Sequence, residues 1–92
     1  MHQFLWESSF IKAYKKLTKS NNQLKERINS TLEILTTDPF NPQLKTHKLH
    51  GKLSHLLACS VDHNYRIIFV IKIVQEMNFI VLIDIGTHYE VY

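Results

Sequence analysis

Four residues of this chain carry side chains suited to moving protons beside a bound anion: His47, Arg66, His88 and Tyr89. An imidazole titrates near neutral pH, so His47 and His88 can each take or give a proton there. The planar guanidinium of Arg66 matches the oxygens of a phosphate in a way that a point charge does not. The phenols of Tyr89 and Tyr92 can stack on a base or reach a phosphate. Lys45, Lys48 and Lys52 interleave with His47, His50 and His55, and no acidic residue lies between Asp38 and Asp62. Such a stretch attracts polyanions by screened Coulomb forces. A plainer account stands beside each of these: a solvated lysine face, a paired structural arginine, a solvated histidine near the end of the sequence. What favours chemistry is placement, because each of the four sits at the margin of an expected strand, where a rigid sheet holds a side chain that still reaches solvent.

The elements that would position them can be read from period and punctuation. "HQFLWE" alternates loosely and reads as a short first strand. Ser8 then caps a helix whose apolar residues Phe10, Ala13, Tyr14 and Leu17 recur at helical spacing. "SNNQ" breaks it, and Ser20 with Gln23 matches a capping box that starts a second helix. Leu24, Ile28, Leu32 and Leu35 form one apolar stripe along that helix. "TTDPFNP" ends it, since proline cannot continue the hydrogen-bond ladder. The second half changes period: "LKTHKL" is a short edge strand, "HLLACSV" and "YRIIFVIK" are strands about the turn "DHN", and "FIVLIDI" follows the turn "VQEMN". The last run is nearly continuous in apolar residues, as befits a central strand covered on both faces or nearly so, and Ile83 and Ile85 would dock the residues that follow it. The expected architecture is α+β, one domain over residues 1–92, with a strand and two helices packed on one face of a mainly antiparallel sheet of about four or five strands.

Composition narrows the classes. The chain has 92 residues, 45% of them hydrophobic, and a formal charge of +3, which fits a folded and mildly basic domain rather than a disordered one. A single cysteine, Cys59, allows no internal disulfide and sits in an apolar run, so a buried thiol is expected rather than a nucleophile. Two glycines make no phosphate-binding loop, and no serine sits in a nucleophile-elbow sequence. Six histidines invite a metal reading, but His47 and His50 on an extended segment point to opposite faces and no paired-cysteine motif exists; neither a metal nor another cofactor is expected. The start lacks the pattern of a signal peptide, and no apolar run approaches the roughly 20 residues that span a bilayer, so a soluble cytoplasmic protein is expected.

The segments "DPFNPQLKTHKLHGKLSHLLACSVDHNYRIIFVIK" and "LIDIGTHYEVY" resemble the RelE/ParE superfamily of toxins from type II toxin–antitoxin pairs, and more closely its RelE-like branch with the YafQ and YoeB toxins. The resemblance covers nearly the whole chain and is densest in "LKTHKLHGKL", "YRIIF" and "IGTHYEVY". It implies a RelE-like fold and an mRNA interferase, an endoribonuclease that cuts messenger RNA in the ribosomal A site without metal. It also implies a cognate antitoxin, with mRNA and ribosomal RNA as further partners. By position, His47 matches the histidine before the L-x-G turn of YafQ-like toxins and Arg66 the strand arginine of YoeB-like ones. His88 matches the histidine of both near the C-terminus, and Tyr89 the tyrosine after it in YoeB. Ser60 stands where the YafQ pattern has a second histidine, Asn64 where it has an aspartate, and Gln43 where YoeB has a glutamate.

Cleavage of RNA by its own 2′-OH needs a base for that hydroxyl, an acid for the departing 5′-oxygen, and positive charge on the phosphate. On this resemblance His88 is the acid, His47 the base or an orienter of the 2′-OH, and Arg66 the phosphate clamp, while Lys45, Lys48, Lys52 and Tyr92 hold RNA. The alternative within the same fold is a ParE-like toxin that binds DNA gyrase and cuts no RNA. A gyrase binder needs no acid–base pair, so the histidines favour the nuclease.

Overall fold

The computed structural model describes residues 2–87. Its elements, in chain order, are β1 (Gln3–Trp6), α1 (Ser8–Thr18), α2 (Asn22–Thr37), a 3-10 turn at Pro42–Leu44, β2 (His47–Lys48), a second 3-10 turn at Gly51–Leu53, β3 (Leu57–Ser60), β4 (Tyr65–Val74) and β5 (Met77–Thr87). The sheet has five strands in the order β1-β5-β4-β3-β2. Only the β1–β5 pair is parallel; β2, β3, β4 and β5 pair antiparallel in succession. The α+β class, the helix pair and the edge position of β2 match the sequence reading.

Both helices start differently from expectation by a residue. Glu7, not Ser8, is the N-cap of α1, and its side chain makes no capping bond. Ser8 is the first helical residue, and the next residue, Ser9, donates its hydroxyl to the carbonyl of Ile83, tying α1 to the sheet instead. At α2, Asn21 rather than Ser20 is the cap, its Oδ1 accepting the amide of Leu24 at 3.1 Å. Asparagine caps as well as serine does, and capping from residue 21 moves Gln23 out of the position a capping box requires.

The apolar stripe of α2 does what its spacing implies. Leu24, Ile28, Leu32 and Leu35 join Phe10 of α1 against Cys59, Ile67, Phe69, Ile80, Leu82 and Ile85 of the sheet. Burying each of the large side chains contributes about 1.5–3 kcal/mol, which is how a chain of this size holds together. A second, smaller cluster lies on the opposite face: Leu49, Ala58 and Ile68, with Leu56 and Ile83 packed against it. β5 therefore carries apolar residues on both faces, as its nearly continuous apolar run indicates.

One irregularity matters for the site. Ile68 pairs with Asp84 but the next residue, Phe69, pairs with Leu82, leaving Ile83 as the extra residue of a β-bulge. Strict alternation from Ile80 and Leu82 would send Ile85 to the outer face. The bulge resets the phase, so that Ile85 is buried on the helix side and Gly86 comes opposite Arg66. Ile83 and Ile85 both pack, but on opposite faces of the sheet.

Candidate active site

The cleft of interest lies at one end of the face that the helices leave open. Cross-strand partners share a face of a sheet. Arg66 lies between Ser60 on β3 and Gly86 on β5, and His47 on β2 pairs with Ala58, whose side chain belongs to the outer cluster. His47, Ser60 and Arg66 therefore share the outer face, and Gly86 brings no side chain beside the guanidinium. Lys45, Asp62 and His63 join them in lining a cavity of about 310 Å³.

Backbone geometry sets the two histidine-bearing segments. Lys45 ends the 3-10 turn in the left-handed conformation, at φ 52°, and its carbonyl comes within 2.9 Å of His47 Nδ1. A carbonyl oxygen only accepts, so Nδ1 carries the proton and donates it. In the neutral form of the ring, that tautomer puts the lone pair on Nε2. On the other side, Asp62 shapes the turn between β3 and β4. Its Oδ1 accepts the amides of Asn64 at 2.8 Å and Tyr65 at 2.9 Å, its carbonyl accepts the Ser60 hydroxyl at 2.9 Å, and its Oδ2 lies 3.1 Å from Arg27 Nη1 on α2. The turn leads directly into β4, so it also fixes where Arg66 starts.

The cleft thus joins two of the four residues first singled out, His47 and Arg66, with one of the three lysines, Lys45. Lys48 pairs with Leu57, whose side chain packs in the helix-side core, so it faces away from His47; Lys52 is exposed on the Gly51–Leu53 turn. His88, Tyr89 and Tyr92 lie outside the described residues. Gln43 lines a different cavity, of about 500 Å³, together with Gln23, Arg27 and Thr31 of α2; Ser60 borders both cavities. His63 and Asp62 were not singled out from sequence. "DHN" reads as a turn, and only the spacing of three residues from His63 to Arg66 along a hairpin entry hints at a shared cleft. Cys59 is buried, and that burial pushes its thiol up to about 12, so it is a packing residue. Among the described residues no three His, Cys, Asp or Glu side chains group to hold a metal ion, and no helix is long and apolar enough to cross a membrane.

Over residues 2–92 the chain matches the family described as bacterial toxin of type II toxin–antitoxin system, YafQ. The chain belongs to the YafQ family of type II toxins. Among solved structures, the toxin is similar to the YoeB/ParE toxin from Agrobacterium tumefaciens, with a TM-score of 0.81 at 17% identity over 95% of this chain and 99% of that one. It is similar also to the metal-bound toxin from Helicobacter pylori, with a TM-score of 0.79 at 27% identity over 100% of both chains. A third is the YoeB–YefM complex from Staphylococcus aureus, with a TM-score of 0.73 at 17% identity over 97% of this chain and 99% of that one. No curated protein matches the toxin. The two likenesses at 17% identity speak to the RelE-like fold; the family assignment stands on the match over residues 2–92.

Proposed function

We propose that this toxin is an endoribonuclease, an mRNA interferase that arrests translation by cutting messenger RNA, with the ribosomal A site as its place of action. The observation that carries the reading is the convergence of His47, Arg66 and Lys45 on one cleft of phosphate-bearing size, at an open face of the sheet. His47 Nε2 takes the proton of the ribose 2′-OH, the 2′-oxygen attacks the neighbouring phosphorus, and the bond to the 5′-oxygen breaks. Arg66 holds the non-bridging oxygens with its fork as their charge grows, and Lys45 adds charge at the rim. The departing 5′-oxygen requires a proton; His88 is the donor that the sequence resemblance points to, with Tyr89 beside it. Lys48, Lys52 and Tyr92 would hold RNA outside the cleft, by charge and by stacking.

Membership of a toxin–antitoxin family calls for a partner that silences this site. The related S. aureus toxin is found in complex with YefM. For the present toxin we propose a cognate antitoxin with an acidic segment, drawn by the +3 charge and the acid-free stretch around Lys45, Lys48 and Lys52.

The test is to incubate the purified toxin with a reporter messenger, alone and with translating ribosomes, and to map the new ends. Cuts that leave a 5′-hydroxyl and a 2′,3′-cyclic phosphate are expected. An intact messenger in both reactions, with or without inhibition of DNA gyrase, would overturn the nuclease reading.

A further inference from the structure

The strongest charge feature of the toxin lies away from the cleft. Lys12, Lys15 and Lys16 of α1 and Lys19 at its C-cap recur at i, i+3, i+4 and i+7, so they form one stripe. Phe10, Ala13, Tyr14 and Leu17 have the same spacing and pack on the core, which turns the lysines outward; all four lysines are exposed. Residues 8–19 hold no acid. The four lysines carry +4 against a formal +3 for the whole chain, so the remaining residues sum to −1.

A solvated face is the plainer account, and α2 shows what one looks like in this toxin. Its exposed charges, Lys25, Glu26, Arg27 and Glu33, cancel. On α1 nothing cancels. Lys12 neighbours Lys15 and Lys16 on the helix surface, and Lys19 neighbours the same two, which makes like-charge pairs that weaken a helix. The helix dipole favours Lys15, Lys16 and Lys19 near the C-terminus of α1, but not Lys12 in its middle. Among the described residues the ion pair is that of Arg27 with Asp62, so no carboxylate offsets the stripe.

A dense polyanion would offset it. Lysines with no aromatic ring or amide among them contact phosphates without reading bases. Lys12 to Lys19 spans about 10 Å of helix, and a nucleic-acid double helix carries one charge per about 1.7 Å of its axis. Several phosphates therefore come within reach at once, with release of the counterions they hold. An acidic protein segment would use apolar anchors between its charges. The apolar groove beside α1, formed by Trp6, Ile11, Tyr14 and Leu32, is bordered by Lys15 but not by the other three lysines. The stripe is also on the opposite side of the sheet from His47 and Arg66. A helix about 10 Å thick lies between them, and that exceeds the Debye length of about 8 Å at physiological salt, so these lysines do not clamp RNA in the cleft. A polyanion that meets both faces must surround the toxin, as a messenger held within a large folded RNA does.

We propose that the α1 stripe docks the toxin on the phosphate backbone of double-helical RNA in the ribosome, as a positioning surface separate from the cleft. The choice of RNA as the polyanion rests on the endoribonuclease reading. The stripe sets affinity for the ribosome, and the cleft cuts.

The experiment measures binding to purified ribosomes over a range of salt concentrations. It compares wild type, a fourfold variant with Lys12, Lys15, Lys16 and Lys19 changed to Gln, and the single changes Lys16→Gln and Lys72→Gln, which remove the same charge from different places. The fourfold variant should bind at least about 10-fold more weakly near physiological salt, and its plot of log affinity against log salt should be shallower by about 3 to 4. Lys16→Gln should lower that slope by about 1, and Lys72→Gln, on the exposed far part of β4, should leave it unchanged. Glutamine keeps helix propensity and relieves the repulsion, so the thermal midpoint should not fall. Cleavage on ribosomes should lose in KM and recover at saturation. Unchanged affinity and slope in the fourfold variant would overturn the inference, as would equal losses in Lys16→Gln and Lys72→Gln. Stripe-dependent binding that is tighter to poly-glutamate or to a DNA duplex than to ribosomes would give the surface to an acidic protein or to DNA, and overturn it too. None of these bindings requires cleavage, so a toxin that docks through the stripe yet cuts no messenger would overturn the endoribonuclease reading alone.

Discussion

Arg27 Nη1 lies 3.1 Å from Asp62 Oδ2, an ion pair that ties α2 to the turn carrying the cleft across 35 residues of sequence. The two ends of the pair differ in exposure, 58% for Arg27 and 20% for Asp62. The carboxylate does more than pair, since its other oxygen caps two amides of the turn. Asp62→Ala is therefore expected to destabilise by about 1–3 kcal/mol through lost caps. Arg27→Ala, at an exposed site, should cost less than about 1 kcal/mol and be sensitive to salt. Chemical denaturation at low and high salt measures both. Equal costs for the two variants would mean that the caps do not matter.

The demand on Arg66 is geometric as well as electrostatic. It sits between Ser60 and Gly86 on the outer face, half-buried at the wall of the cleft. Arg66→Lys keeps the charge and loses the fork that fits two phosphate oxygens. The variant should fold and bind RNA, yet cut it on the order of 10–100-fold more slowly, the loss falling on kcat. Single-turnover kinetics with saturating RNA separates the two. A loss confined to KM would make Arg66 a binding residue and no more.

Most of the fold was legible because the signals were long. Leu24, Ile28, Leu32 and Leu35 repeat over a whole helix, and the run from Phe79 to Ile85, interrupted only by Asp84, reads as a strand covered on both faces or nearly so. The caps were not, since Ser20, Asn21 and Asn22 are all competent N-caps and only the path of the chain chooses among them. The bulge at Ile83 was invisible for a related reason: Ile80, Val81, Leu82 and Ile83 are all apolar enough to face either side, so nothing among them marks a change of phase. Of the site, His47 and Arg66 could be picked out because they stand at strand margins in a basic segment. His63 and Asp62 could not, since turn residues rich in Asp, His and Asn are ordinary, and which cavity a turn overhangs is a property of the sheet.

The β4–β5 hairpin closes on Gln75 and Glu76, at φ 51° and 67°. Two-residue hairpins favour such left-handed turns, but glycine or asparagine normally supplies them. Both residues are exposed, so nothing is gained from their side chains in return. Glu76→Gly is expected to stabilise the toxin by about 1 kcal/mol, and to raise the thermal midpoint by several degrees in a domain of this size. The cleft is at the other end of these strands, so cleavage should be unchanged. A lower midpoint would show that Glu76 makes a favourable contact that outweighs its backbone strain.

Cys59 provides a titration with a defined sign. Burial between helices and sheet pushes its thiol from 9.0 up to about 12, with a backbone hydrogen bond from Ile67 only partly opposing that. Folding thus favours the protonated thiol. Below pH 9 the thiol is protonated in both states, and its contribution is fully present. As pH rises from 9 towards 12, the unfolded chain loses the proton while the folded one keeps it, so stability falls by about 1.4 kcal/mol per pH unit from this group. Cys59→Ala removes that slope, although it also leaves a small cavity and lowers stability at all pH values. Denaturant unfolding at pH 8, 9 and 10 should show wild type losing ground to Cys59→Ala as pH rises. The same burial predicts that a thiol reagent labels Cys59 only at the rate at which the toxin opens, and fast labelling under native conditions would mean that the interior at β3 is not closed.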